Sequence, residues 1–170
     1  VGIVGLFVVQ LLKLSGCDKI IVVDLLQERL DLALHLGADM ALKSDACDIV
    51  REVLKNTQNR GADVAFEVIG LTPTIAMAIN SLRRGGFLTL IGNLSPKIDL
   101  SLQSVVTRQI RLQGSCAICG EYPEVLEMIA KGKINVDAMI SATAPLCEGA
   151  GWFNKLYNKE AGLMKVILNP

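Results

Sequence analysis

Short aliphatic runs recur along this chain at intervals that a helix fills, and that rhythm constrains the fold more than any other feature. "KIIVVD" (19–24), "ADVAFEVIG" (62–70), "FLTLIG" (87–92), "IRLQGS" (110–115) and "LMKVIL" (163–168) have strand length, with "MALK" (40–43) as a shorter run. Strands that are continuously aliphatic, rather than alternating, belong to a sheet covered on both faces. Helical patterns stand between them. Residues 3–14 stop at Gly16 and residues 27–36 stop at Gly37. A third helix carries Ile49, Val53 and Leu54 on its inner face, and a fourth runs through Ile75, Ala76, Ile79 and Leu82 to Gly85-Gly86. Residues 122–131 and 152–157 read as two more helices. Ser44 or Asp45, and Thr72 ahead of Pro73, are the expected N-caps. Alternation of this kind predicts right-handed crossovers and an open, doubly wound α/β parallel sheet.

Composition agrees and removes several function classes. The 170 residues are 51% hydrophobic but only 4% aromatic, so the core is built from Val, Ile, Leu and Ala. Seventeen basic and seventeen acidic residues cancel, with no basic stripe, which argues against nucleic acid or an anionic membrane as partner. The opening apolar stretch is broken by Gln10 and Lys13 and falls short of the about 20 residues that a span needs. No basic segment precedes it, so a buried helix is expected rather than a signal peptide. Five cysteines (Cys17, Cys47, Cys116, Cys119, Cys147) form no dense framework and read as reduced thiols of a cytoplasmic protein. "CAIC" (116–119) lacks the second pair that tetrahedral zinc requires and reads as packing or pocket lining.

In a doubly wound sheet the ligand lies beyond the carboxyl ends of the strands. Asp24 closes the first of these strands, where a dinucleotide-binding unit places its ribose acid. A carboxylate there accepts from the adenosine 2′- and 3′-hydroxyls and repels a 2′-phosphate, so NAD rather than NADP is the expected cofactor. Gly2 lies 22 residues before Asp24, near the offset of about 20 between a G-x-G-x-x-G fingerprint and its acid. Gly2 is therefore read as the last fingerprint glycine, packing the first helix tightly against its strand. The first strand and the two earlier glycines are expected upstream of Val1. Without that strand, "KIIVVD" and "DVAFEVIG" would keep unpaired edges. "LMKVIL", or a strand exchanged between protomers, is expected to fill the place.

The run "VGIVGLFVVQLLKLSGCDKIIVVDLLQERLDLALHLGAD" resembles the cofactor domain of medium-chain, zinc-type alcohol and polyol dehydrogenases. "FEVIG" resembles that family's acid-x-x-glycine strand end, "SLRRGGFLTLIG" its next helix and strand, and "GWFNKLYNKEAGLMKVIL" its closing helix and strand. Together these cover nearly the whole chain, and the sorbitol, threonine and butanediol dehydrogenase branches are the most similar. The resemblance implies a Rossmann-like dinucleotide-binding domain over 1–134. A C-terminal segment over 135–170 would return toward a catalytic domain. It places Gly2 beside the pyrophosphate, Asp24 on the adenosine ribose and Arg29 near the ribose hydroxyls. Ile69 and Gly70 would line the cofactor groove, with Ile91, Gly92, Asn93, Ser115 and Cys116 approaching the nicotinamide.

The same resemblance implies hydride transfer between a secondary alcohol or polyol and NAD, with zinc supplied by a separate domain. Ala117 stands where sorbitol-type enzymes carry a substrate arginine, which argues against a sorbitol-like substrate. The single histidine, His35, lies in a helix without partners at ligand spacing and reads as a surface residue. The chain by itself is therefore expected to bind cofactor and to lack catalysis. "KIDLSL" (97–102) aligns with the family's dimer strand, so a homodimer is expected. Three rival classes share parts of this pattern. A methyltransferase needs a glycine-rich loop ahead of Asp24, and a quinone reductase prefers NADPH, against Asp24. A non-catalytic, nucleotide-sensing regulatory domain shares the fold and stays open at this stage.

Overall fold

The computed structural model describes residues 1–170. The chain runs α1 (Ile3–Leu14), β1 (Ile21–Asp24), α2 (Gln27–His35), β2 (Met40–Lys43), α3 (Ile49–Asn56), β3 (Ala62–Glu67), α4 (Thr72–Ser81) and β4 (Leu82–Leu90). There follow α5 (Leu102–Thr107), β5 (Arg111–Gly114), α6 (Tyr122–Ala130), β6 (Ile140–Pro145), α7 (Gly149–Tyr157) and β7 (Lys165–Asn169). All strand pairs are parallel. β1 pairs with β2, the order β3-β4-β5 makes a second sheet, and β6 pairs with β7.

β1 shows why its run is aliphatic throughout. Successive side chains point to opposite faces of a strand. Val22 is buried with Leu6 and Val9 of α1 and Leu30 and Ala33 of α2 on one face. Ile21 and Val23 pack on the other against Leu42 and against Ile49 and Val53 of α3. A third cluster joins α4 to the second sheet through Ile75, Ile79, Leu82, Leu88 and Ile110. Ala62 of β3 and Met77 of α4 also pack against the α3 cluster, so hydrophobic contact bridges the two sheets. β1 and β3 do not pair with each other, and each keeps one edge that no strand occupies.

Several expectations need correction. "LMKVIL" does not lie beside β1 or β3; its residues 165–168 belong to β7, which pairs with β6 over a register from Ile140↔Lys165 to Pro145↔Asn169. β6 itself is not evident in the sequence, because "ISATAP" has too few bulky aliphatics to stand out. Residues 97–101 form no strand, and Leu102 opens α5 instead. Two caps move as well. Asp48, not Ser44 or Asp45, caps α3 by accepting from Arg51 N–H at 3.1 Å. Leu71 is the N-cap of α4, and the Thr72 hydroxyl accepts instead from Asp99 N–H at 3.0 Å. α4 also stops at Ser81, so β4 begins before the Gly85-Gly86 pair.

The C-terminal stretch docks onto the first helix through one polar contact. Gln10, only 6% exposed in the middle of α1, holds Asn135 from both sides. Its Oε1 accepts from Asn135 N–H at 2.7 Å, and its Nε2 donates to the Asn135 carbonyl at 3.2 Å. Met139 joins the α1–α2 core just beyond, and Met164 packs against it. No helix is long and apolar enough to cross a membrane.

Candidate functional site

Of the residues singled out in the sequence, Asp24, Ile69, Gly70, Ile91, Gly92, Asn93, Ser115 and Cys116 lie at the carboxyl ends of β1, β3, β4 and β5, while Gly2 starts α1 and Arg29 lies in α2. Asp24 is the last residue of β1 and its side chain is 11% exposed. Its Oδ1 accepts from Leu26 N–H at 2.9 Å, which sets the turn into α2. Its Oδ2 pairs with the Val1 amino group, and Arg29 Nη1 stands 4.0 Å away. Burial disfavours the charged form of the Asp24 carboxyl, while the Leu26 N–H and the Arg29 guanidinium favour it.

Val1 also donates to the Val23 carbonyl at 3.2 Å, which holds the start of α1 against the end of β1. Gly2 is the N-cap of α1, and no side chain caps that helix. Within residues 1–170 a Cβ on Gly2 would meet nothing within 4 Å. Close packing occurs at Gly5, where a Cβ would lie 3.2 Å from the Val1 side chain and 3.6 Å from Val68 beyond β3. Gly5 was overlooked although "GIVG" displays the G-x-x-G half of the fingerprint, whose final glycine serves helix–strand packing. Gly2 is left with an open backbone, suited to a ligand's close approach.

The second half of the site is a crossing of two loops. Ile69 and Gly70 follow β3, and Ile91, Gly92 and Asn93 follow β4. Leu94 N–H donates to the Ile69 carbonyl at 3.1 Å and Ser95 N–H to the Gly70 carbonyl at 3.1 Å. A Cβ on Gly92 would lie 2.2 Å from the Ile69 backbone. One on Gly70, whose φ is +86°, would lie 2.5 Å from Asn93 N. Both glycines are therefore required by contact between main chains, more than the strand-ending role that sequence suggests. The Ile69 side chain is left exposed to solvent.

Ser115 N–H donates to the Leu90 carbonyl at 2.9 Å and so lies beside the same loops, while Cys116 is exposed one residue further along. Glu67 is the acid of the "FEVIG" strand end, to which the sequence reading gave no role of its own. It is 4% exposed, and its carboxylate accepts from Ile69 N–H, Gly70 N–H and the Thr74 hydroxyl. An acid inside an otherwise apolar strand was the available signal.

The donor set does not fit zinc. No three His, Cys, Asp or Glu side chains converge on a point, and His35 is exposed on α2. A surface depression of about 620 Å³ runs along α3 between Asp48 and Asn59 and touches none of the strand ends, so it is separate from this site.

Comparisons with known proteins point the same way. A family model described as zinc-binding dehydrogenase matches residues 4–131. (R,R)-Butanediol dehydrogenase of Neisseria gonorrhoeae is 29% identical, over 99% of this chain and 48% of its own length. Sorbitol dehydrogenase of Bacillus subtilis is 32% identical, over 99% of this chain and 48% of its own. The crystal structure of 2R,3R-butanediol dehydrogenase from Bacillus subtilis superposes with a TM-score of 0.90 at 27% identity, covering 99% of this chain and 48% of that one. The chain spans about half the length of the curated relatives it matches.

Proposed function

The chain belongs to the zinc-binding dehydrogenase family, and from the geometry at its strand ends we propose that it forms the NAD(H)-binding part of an alcohol or polyol dehydrogenase. The single observation that carries this reading is the Asp24 carboxylate at the end of β1, beside the uncapped N-terminus of α1. Free N–H groups at a helix start favour an anion, here the pyrophosphate. The Asp24 carboxylate beside it accepts from the two adenosine ribose hydroxyls. Arg29 flanks the adenosine end. The crossed loops at Ile69-Gly70 and Ile91-Gly92-Asn93, with Ser115 and Cys116, extend the groove toward the nicotinamide.

The reaction of the intact protein is hydride exchange between a secondary alcohol or polyol and NAD. The residues of this chain supply the cofactor half, do not fit zinc, and by themselves turn over no alcohol. The intact protein is cytoplasmic, in keeping with five unpaired thiols, and pairs as a homodimer through residues 97–102, where Leu100 and Leu102 are exposed. Calorimetric titration of the intact protein with NADH and NADPH tests the cofactor reading. NADH is expected to bind at least about tenfold more tightly, the ratio that 1.4 kcal/mol represents. Equal affinities would overturn the NAD assignment, and silence toward both would overturn the cofactor site itself.

A further inference from the structure

On that reading of the site, we infer that Glu67 is a positioning residue for the dinucleotide: buried behind the groove, it sets the loops that contact the cofactor without touching it. Glu67 grips both loops at once. Its Oε1 accepts from Ile69 N–H at 3.0 Å, Gly70 N–H at 3.0 Å and Thr74 Oγ1 at 2.7 Å, and its Oε2 accepts from Gly70 N–H at 2.9 Å. Its main-chain carbonyl accepts from Ile91 N–H at 2.8 Å and Gly92 N–H at 3.0 Å. One residue thus sets the first loop through its side chain and the second through its backbone. The loops are then locked to each other where Gly70 and Gly92 meet.

The chemistry favours a carboxylate over any neutral residue. Each oxygen of an ionised carboxylate only accepts, and all three partners of Glu67 are donors. A buried charge is tolerated where donors surround it in this way. Satisfying the Gly70 and Ile69 N–H groups from behind leaves the Ile69 side chain turned to solvent, where a ligand can meet it. An amide at position 67 would set its NH2 against at least one of these donors. Ile69 and Gly70 would then shift relative to Gly92, and the nicotinamide half of the groove would lose its shape. Asp24 and Arg29 stand on a different strand and helix, so the adenosine half would keep its own.

That asymmetry gives the test, made on the intact protein with NADH and AMP as probes. Glu67→Gln is expected to weaken NADH at least about tenfold, since a donor left facing a donor costs that much or more. AMP, which needs only the adenosine half, should stay within about twofold. Glu67→Asp keeps the charge and the short reach to Ile69 N–H, and should recover most of the NADH affinity. Thr74→Val removes one hydroxyl donor with little change in shape, and serves if the Gln variant does not fold. It should weaken NADH about threefold with AMP unchanged. NADH and AMP weakening in step would assign Glu67 a purely structural role and overturn the inference, as would unchanged NADH affinity in both Gln and Val variants. Failure of the unaltered protein to bind NADH would instead remove the cofactor reading on which the inference stands.

Discussion

Replacing Asp24 by Asn is the sharpest perturbation this site offers, because it removes a charge while keeping the shape. Two unit charges about 4 Å apart interact by about 4 kcal/mol at the effective dielectric of a partly buried site. A 2′-phosphate set against Asp24 would meet at least that repulsion, and Arg29, 4.0 Å from the carboxylate, would return part of it. A net preference of about 2–4 kcal/mol for NAD follows, or about 30- to 1000-fold. In Asp24→Asn the repulsion disappears and Arg29 is free to pair with the phosphate. NADH, meanwhile, exchanges charge-assisted hydrogen bonds for neutral ones, a loss of about 1 kcal/mol each. The NADH-to-NADPH affinity ratio should therefore fall at least about 100-fold. The amide oxygen still accepts from Leu26 N–H, so the start of α2 should survive and Tm should change little. Parallel titrations with NADH and NADPH at fixed ionic strength read the ratio directly. The wild-type preference should rise with pH through about 6, where the 2′-phosphate takes its second charge while an ordinary carboxylate is already ionised. A ratio within about threefold of wild type would refute the reasoning and move the ribose contact away from Asp24.

Two further outcomes follow from the packing. Gln10→Ala removes both hydrogen bonds that buried Gln10 makes to Asn135 and should cost about 1 kcal/mol for each; calorimetry should show a lower Tm, with amide exchange at Asn135 accelerating most. Asp63 is held down to about 2 from 3.8 by hydrogen bonds from Arg60 and Arg83. A depressed carboxyl contributes stability above its unfolded value and loses it as pH falls through the folded one. Asp63→Asn should therefore lower Tm at pH 7 by a few degrees at most, the pair being solvent-exposed, and the difference should vanish as pH falls from about 4 toward 2.

The covered-sheet fold is legible because both faces of β1 need aliphatic partners, and a run like "IIVVD" can be little else. Helix starts are less legible. Ser44, Asp45, Asp48, Thr72 and Glu67 all have side chains able to cap, and only the path of the chain decides which one reaches an N–H. The C-terminal pairing of β6 with β7 escaped because its partners lie 25 residues apart in register at Ile140 and Lys165, and one of them is nearly all small residues. At the site, Asp24 and Gly70 could be placed by position in a repeating unit. Gly5 and Glu67 could not be weighed from position alone, since what matters in each is contact with a second strand end.

On the proposed reading, the helix starts that follow β1, β2 and β3 account for a single anion-binding end. Every such N-terminus offers unpaired N–H groups and the positive end of a dipole. In α3 the Asp48 side chain takes up that capacity, accepting from Arg51. Ahead of α4, the Glu67 carboxyl accepts from the N–H groups of Ile69 and Gly70. α2 carries Glu28 in its first turn, and Asp24 already accepts from Leu26 just before it. Only α1 combines a helix of 12 residues, no side-chain cap, no acid in its first turn and an open glycine at its N-cap. Acidic side chains thus occupy the helix starts that follow β1, β2 and β3, which on the proposed reading leaves α1 for the pyrophosphate.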